Sequence, residues 1–303
     1  MKKLMLLAGA VALLVAAPAP ATTTPKTVTM DVSKAGFVPG TVSITAGDSV
    51  SWTNKDIANH QVVCKTCPFT SPVLAPGQVT TFTFTKTGNF GLIDPLNHNQ
   101  KATVKVAAAP TTVSASPSPR VLNYGAATTI AGALSTGQAN QKVEIMAQQC
   151  GETAPKSIAT VMTGANGAFT YQTQPTINTS YQAKFGTGNS AVTSALAPVS
   201  TRPLVILRRN AMHRFTVQVT AAQSFVGKAV QFERWIQKVH HWQTVKTVFL
   251  GSRHAASTPL AGSTVSAVTF GAKLRTKLSV RAVVSSAQAG PCYITASSAT
   301  IRS

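Results

Sequence analysis

The chain has 303 residues with a net charge of +20, because 27 lysines and arginines face only 7 acidic residues. So few carboxylates leave little room for an enzyme that works with paired acidic groups. No apolar run reaches the roughly 20 residues of a membrane-spanning helix, and a chain of this length is typical of two or three domains.

The N-terminus has the pattern of an export signal. Lys2 and Lys3 precede an apolar run over residues 4–17, and Ala19-Pro20-Ala21 offers the small residues of a cleavage site. The run is too short to span a membrane, although a retained membrane anchor is the alternative. We therefore expect residues 1–21 to be a signal peptide. The mature chain is then secreted, without a transmembrane segment, and extracellular or associated with the cell wall.

Residues 24–106 predict a first all-β domain. Apolar residues alternate in TVTMDV, TVSIT, SVSWTN, VTTFTFT and ATVKV, which is the period of half-buried strands. The following stretch, residues 107–120, is rich in Ala, Pro, Ser and Thr and is predicted to be an extended linker.

Two units that resemble each other follow, over residues 121–201 and 202–303. Similar strands recur in the same order, for example KVEIMAQQ and AVQFERWI, then SYQAKFG and SVRAVVSS. Glu144 and Glu233 occupy equivalent strands, which indicates a structural role for both. Each unit has roughly seven short strands, as expected for a β-sandwich. The stretch PTINTSYQAKF, with Tyr181 in the place of the corner tyrosine, resembles the corner before a late strand of immunoglobulin-like sandwiches, as found in bacterial surface proteins.

The first domain carries a second resemblance. FVPGTVSITAGDSVSWTNKDIANHQVV and VLAPGQVTTFTFTKTGNF resemble the blue copper proteins called cupredoxins, of the plastocyanin and amicyanin type. The resemblance covers residues 37–106. It implies a Greek-key sandwich and places the first copper-ligating histidine at His60. The predicted fold class is thus all-β, a cupredoxin-like Greek-key sandwich followed by two immunoglobulin-like β-sandwiches.

The same resemblance implies that the other copper ligands come from the loop after GNFGLI. Aligned without gaps, the positions of the family's cysteine, second histidine and methionine are Asp94, Asn97 and Gln100. Type 1 copper needs the thiolate, so we predict that the blue centre is largely lost. A weak metal site formed by His60, Asp94 and His98 stays open beside a purely structural role for His60. We therefore expect no cofactor, and bound copper is the alternative.

Four cysteines in an exported chain indicate disulfides, and we expect the pairs Cys64–Cys67 and Cys150–Cys292. The alternative for the first pair is a zinc or copper cluster of His60, Cys64 and Cys67 with His98. The adjacent His240 and His241 are predicted at a hairpin tip.

Most of the excess charge lies in residues 202–303, which hold fourteen basic residues and one acidic residue. A strand in AKLRTKLSVRAVV would place Lys273, Arg275, Lys277 and Arg281 on one face. This row predicts binding to an anionic cell-wall polymer or another polyanion, and a solvated charged face is the alternative. We expect no specific nucleic-acid partner, because no groove-reading helix is present and Trp235 and Trp242 fit a sandwich core.

The sequence shows no nucleophile elbow, phosphate loop or metalloprotease histidine pair, so we predict that the protein is not an enzyme. The leading prediction is a secreted binding or adhesion protein at the cell surface or wall. A protein that binds Cu(II) weakly around His60 is the alternative, and an electron carrier is disfavoured by the missing cysteine.

Overall fold

The computed structural model describes residues 24–98, 100–252 and 260–303, so the predicted signal peptide lies outside it. These residues form strands joined by turns, three short 3-10 segments (165–167, 188–190 and 237–239) and one helix, α1 (Ser286–Ala289). No helix within these ranges is long and apolar enough to cross a membrane. Two compact units divide at Thr111 and Thr112. The prediction of an all-β fold is confirmed.

The first unit is a sandwich of two four-stranded sheets, ordered β2-β1-β4-β6 and β3-β8-β7-β5. Its strands are β1 (Thr27–Ser33), β2 (Gly36–Val38), β3 (Thr41–Thr45), β4 (Ser49–Asn54), β5 (Val63–Cys64), β6 (Val79–Thr83), β7 (Gly88–Asp94) and β8 (Gln100–Ala107). The pairs β1–β4 and β3–β8 are parallel, because the chain crosses between the sheets. This is Greek-key connectivity.

The core of the first unit consists of the alternating residues that the sequence analysis singled out. Met30, Val32, Val50 and Trp52 are almost completely buried. Trp52 stacks on Phe69 with a ring separation of 5.3 Å. The period-2 pattern therefore predicted the inward face of these strands correctly.

The second sandwich belongs to the unit that begins at Thr112. Its strands are β9 (Ser116–Ser118), β10 (Val121–Asn123), β11 (Thr128–Ala133), β12 (Lys142–Gln149), β13 (Lys156–Met162), β14 (Ala168–Thr173), β15 (Thr179–Phe185), β16 (Val192–Thr193) and β17 (Ala197–Arg202). The sheets are β10-β17-β15-β12-β13, with β16 on β15, and β14-β11-β9. Because β9 pairs with β11 and Val113 is buried, the predicted linker of residues 107–120 is largely part of this sandwich.

The third sandwich completes that unit. Its strands are β18 (Leu204–Ala211), β19 (Arg214–Ala221), β20 (Ala229–Ile236), β21 (His241–Phe249), β22 (Gly251–Ser252), β23 (Thr264–Gly271), β24 (Ser279–Val284), β25 (Ala296–Ser297) and β26 (Ile301–Arg302). The sheets are β18-β19-β23-β22 and β21-β20-β24-β25, with β26 on β24.

The predicted resemblance between the two sandwiches extends to their ion pairs. Glu144 on β12 lies opposite Lys184 on β15, and Glu233 on β20 lies opposite Arg281 on β24. Both pairs are ion pairs, at 3.3 and 2.7 Å. The structural role expected for the two glutamates is therefore confirmed.

The second and third sandwiches are joined covalently. Cys150 is disulfide-bonded to Cys292, and Cys64 to Cys67, which are the two predicted pairings. At the junction, the backbone N–H of Asn178 donates to the Cys292 carbonyl at 2.9 Å, and Ile177 packs against the core of the third sandwich. The disulfide thus closes a contact that is already partly apolar.

We expect the two disulfides to differ in their effect on stability. Cys150–Cys292 spans 142 residues and Cys64–Cys67 spans 3. Loop-closure entropy assigns about 5 kcal/mol to the long bridge and about 2 kcal/mol to the short one. Replacing Cys150 and Cys292 with Ser should lower the unfolding midpoint of the second unit in denaturant titrations. The matched control is the Cys64→Ser, Cys67→Ser variant. An unchanged midpoint in the first variant would contradict a stabilising bridge at this junction.

Candidate functional site

The loop after β4 positions His60 through the buried side chain of Asn54. The Asn54 amide donates to the carbonyls of Ala58 and Leu74, both at 2.8 Å, and its Oδ1 accepts the backbone N–H of Asp56 at 2.8 Å. The backbone of His60 pairs with the backbone of Leu74 through two hydrogen bonds. The TNKDIANH stretch therefore folds as one hydrogen-bonded loop that fixes the histidine at the end of the sandwich.

His60 is buried between two carboxylates. Its Nδ1 lies 2.5 Å from Oδ2 of Asp94, and its Nε2 lies 3.2 Å from Oδ2 of Asp56. Both His60 and Asp94 are 1% exposed. A carboxylate accepts but does not donate, so the ring satisfies both partners only when both of its nitrogens carry hydrogen. We call these three residues the carboxylate–histidine triad.

Each carboxylate of the triad has further donors. Oδ1 of Asp94 accepts the backbone N–H groups of Gln61 and Leu96, both at 3.1 Å. The pKa of Asp56 is held below its ordinary value, first by the backbone N–H of Ile57 and then by His60. A lowered folded-state pKa means that this group stabilises the fold at neutral pH. That contribution is lost as the pH falls through the lowered pKa.

The other predicted ligand positions do not join His60 and Asp94. His98 is exposed in a turn, with a φ of 49°. The side chains of Asn97 and Gln100 donate to backbone carbonyls of the β1–β2 turn, at 3.2 and 2.7 Å. Within residues 24–98, 100–252 and 260–303, no three histidine, cysteine or acidic side chains are arranged to hold a metal ion. The loop is closed by hydrogen bonds where a metal site would need free donors.

The alternative cluster with Cys64 and Cys67 is also absent, because both sulfurs are in a disulfide. All 4 cysteines of the chain are bonded in this way, so none supplies a thiolate. The sequence analysis did not identify Asp56 as a member of the triad, because a turn by itself explains an acidic residue at this position. Its position four residues before His60 is the signal that could have identified it.

The predicted basic strand is wrong in its secondary structure. Strand β23 ends at Gly271 and β24 begins at Ser279, so Lys273, Arg275 and Lys277 lie in the connection between two sheets. All three are exposed, but Lys277 is in a turn with a φ of 67°. The residues alternate because the connection is an extended chain that crosses the end of the sandwich. Its basic side chains face solvent, and Leu274 is buried.

Arg281 differs from the other three because it is already bound. Its Nε donates to Oε2 of Glu233 at 2.7 Å, and its guanidinium lies 4.2 Å from the centre of the Trp242 ring. Trp235 and Trp242 are half-buried and absent from the core cluster of the third sandwich, which corrects the prediction that they are core residues. His240 lies at the tip of the β20–β21 hairpin, as predicted.

One end of the third sandwich concentrates the charge. The tip of the β18–β19 hairpin meets the connection from β23 to β24 there, where the backbone N–H groups of Ala272 and Leu274 donate to His213. The tip of the β20–β21 hairpin lies at the same end, because Arg234 near the end of β20 pairs with Val280 near the start of β24. Fourteen basic residues less Arg202, Lys228 and Arg253 leave eleven in this half, and Arg253 lies outside the described residues. We call this half the basic end. Its members are Arg208, Arg209, Arg214, Arg234, Lys238, Lys246, Lys273, Arg275, Lys277, Arg281 and Arg302.

The triad makes a prediction about stability. The Asp94→Ala change leaves one nitrogen of the buried His60 ring and two backbone N–H groups without their acceptor. We expect the unfolding free energy of the first unit to fall by about 3 kcal/mol, measured by calorimetry at pH 7. The matched control is Asp31→Ala on β1, whose side chain makes no hydrogen bond or ion pair with the described residues and should cost less than about 1 kcal/mol. Equal losses in the two variants would refute a special role for the triad.

One family model and several solved structures match part of this chain. Residues 5–106 match the model of the cupredoxin-like domain family. No curated protein matches the chain. A purple cupredoxin from Nitrosopumilus maritimus matches with 22% identity and a TM-score of 0.25, over 26% of this chain and 98% of that chain.

Two further solved structures are similar to the same region. A Cu(I) form of an amicyanin variant matches with 20% identity and a TM-score of 0.25, over 27% of this chain and 82% of that chain. A copper-containing nitrite reductase from Thermus scotoductus SA-01 matches with 25% identity and a TM-score of 0.25, over 31% of this chain and only 26% of its own. Residues 5–106 of this protein are a cupredoxin-like domain.

Proposed function

We propose that this protein is an exported, non-catalytic binding protein that attaches to an anionic polymer at the cell surface or wall. In this proposal the cupredoxin-like domain has lost its type 1 copper centre. The second and third sandwiches are immunoglobulin-like modules, and the third provides the attachment.

The carboxylate–histidine triad is the observation that carries the proposal for the first domain. Type 1 copper is held by a thiolate, two imidazoles and a weak axial donor. Here both nitrogens of His60 face carboxylates, and Asp94 stands where the resembled family has its cysteine. These two contacts provide a partner for each ring nitrogen, so the fold needs no metal to satisfy its buried histidine.

A weak Cu(II) site is a second candidate, favoured by the contact between His60 and Asp94. An imidazole and a carboxylate are suitable ligands for Cu(II). The ion would have to displace the hydrogen on Nδ1 and part the two residues, which are 2.5 Å from each other. Binding is therefore expected to be weak, and without a thiolate the site does not support efficient electron transfer.

The distribution of charge supports attachment through the third sandwich. Its one acidic residue, Glu233, is paired with Arg281, so the other cations of the basic end have no acidic side chain of that sandwich as a partner. A surface of one sign attracts polymers of the opposite sign over a Debye length. The junction with the second sandwich lies at the opposite end of the strands, so the basic end is not used to hold the two sandwiches together.

The use of the carboxylates supports a non-catalytic role. In residues 112–303 every acidic side chain is in an ion pair, namely Glu144 with Lys184, Glu152 with Lys156 and Glu233 with Arg281. In the first unit Asp48 accepts backbone N–H groups at the turn before β4, and Asp56 and Asp94 belong to the triad. Within the part of the chain that the structure describes, only Asp31 is left as a carboxylate without such a partner, and it lies on strand β1.

Copper addition tests the first part of the proposal. We expect Cu(II) to give the purified full chain no intense absorption at roughly 600 nm, since that band belongs to the copper–thiolate bond. The positive control is the triple variant Asp94→Cys, Asn97→His, Gln100→Met. Any pale Cu(II) complex should be lost in His60→Ala, and uptake that this change leaves unaltered would exclude the second candidate. An intense blue colour in the unmodified chain would contradict the lost centre.

Retention on a polyanion tests the second part. We expect the full chain to bind a polyphosphate column at 0.1 M salt and to elute well below 1 M, because the Debye length falls from about 10 Å to about 3 Å over that range. Changing Lys273, Arg275 and Lys277 to Glu should move elution to clearly lower salt. The matched control reverses Lys26, Lys86 and Lys105 in the first unit. Equal shifts in both variants would assign retention to net charge alone and contradict a site at the basic end.

A further inference from the structure

The basic end carries a pair of tryptophans on the outer face of a sheet. Trp235 on β20 lies directly opposite Trp242 on β21. Their ring centres are 5.4 Å apart and the rings are inclined at 62°. Both rings are half-buried, whereas the neighbouring Phe232 points to the core and is fully buried. Two large aromatic side chains are therefore held at the surface of a rigid sheet.

An arginine is fixed against this pair. Arg281 on β24 is anchored by the 2.7 Å bond from its Nε to Glu233, and its guanidinium packs on the Trp242 ring at 4.2 Å. Within the described residues, neither of its terminal nitrogens donates a hydrogen bond. Glu233 is 9% exposed, so the carboxylate orients the guanidinium and presents little negative charge to solvent. The result is a planar cation with free donors beside two indole rings.

Neutral polar groups surround the same rings. Oε1 of Gln237 accepts the indole N–H of Trp235 at 3.0 Å, and Oε1 of Gln243 accepts two N–H groups of Arg234, at 3.0 and 2.8 Å. Each amide keeps its NH₂ group as a donor, because its oxygen is the atom in use. Hydroxyl and carboxylate oxygens are the acceptors that such donors bind.

We propose that the surface formed by Trp235, Trp242 and Arg281 binds an acidic polysaccharide, with a pyranose ring on the tryptophans and a uronate carboxylate on the arginine. This inference rests on the proposed function and specifies its polymer. The C–H groups on one face of a pyranose carry partial positive charge and suit the negative face of an indole. The remaining cations of the basic end attract the following acidic units of the chain.

A single-stranded nucleic acid also stacks on aromatic rings, but the observations favour the glycan. The two indole rings are inclined at 62° to each other on the outer face of a sheet, whereas single-stranded nucleic acids bind in a positively charged groove that follows their backbone. Two disulfides are typical of proteins outside the cytoplasm, where acidic glycans are abundant. Preferential binding of single-stranded DNA is one of the outcomes that the experiment distinguishes.

Fluorescence anisotropy of labelled oligomers tests the proposal on the full chain. The probes are oligogalacturonate, inorganic polyphosphate and single-stranded DNA of similar charge, at 0.1 M salt. We expect Trp235→Leu with Trp242→Leu to weaken oligogalacturonate binding about tenfold and polyphosphate binding less than about twofold. The matched control is Phe249→Leu, at the far end of β21 and 66% exposed, which should alter neither. Far-UV circular dichroism checks folding, and the single variants Trp235→Leu and Trp242→Leu replace the double variant if that one does not fold.

The outcomes separate this inference from the proposed function. Equal losses for oligogalacturonate and polyphosphate, or no loss for either, would overturn the glycan surface and leave charge-driven attachment intact. A larger loss for DNA than for oligogalacturonate would assign the tryptophans to nucleic acid and also overturn it. If the unmodified chain binds none of the three probes, attachment through the basic end itself fails.

Discussion

The buried His60, held between Asp56 and Asp94, is the interaction on which the first domain depends. A histidine ring that is 1% exposed needs a hydrogen-bond partner for each of its nitrogens. Asp94 ends β7, Asp56 follows β4, and Asn54 ties the loop between Asp56 and His60 to Leu74. The ion pairs therefore fix two loops at once. Two carboxylates and an imidazole join these loops through hydrogen bonds.

The small number of acidic residues also determines how charge is distributed over the rest of the chain. With only 7 acidic residues, nearly every one is committed to a turn, a strand pair or the triad. In the third sandwich the single glutamate, Glu233, forms an ion pair with Arg281, and this pair holds the guanidinium against Trp242. The other basic side chains of the basic end have no acidic side chain of the same sandwich as a partner. We propose that this imbalance serves to bind a partner of opposite sign.

Period-2 alternation predicted the strands around Trp52 and the repeat of the second and third sandwiches, because burial on one face leaves a direct mark in the sequence. The contact of His60 with Asp94 followed from a family resemblance. Asp56 was missed because a polar residue in a turn has the same local pattern whether it caps a loop or pairs with a distant ring. The alternation of apolar and basic residues from Lys273 to Lys277 wrongly predicted a strand, because an extended connection can show the same alternation. Trp235 and Trp242 were assigned to the core because hydrophobicity alone does not reveal which face of a sheet is covered.

The central claim, that the triad occupies the place of the copper centre, is tested most directly by the ¹⁵N spectrum of the His60 ring. In the full chain at pH 7, both ring nitrogens should carry hydrogen and show a correlation to a carboxylate-bonded proton. The spectrum should not change when one equivalent of Cu(II) is added. A His60 ring with one bare nitrogen, whose signal disappears on addition of Cu(II), would contradict the account.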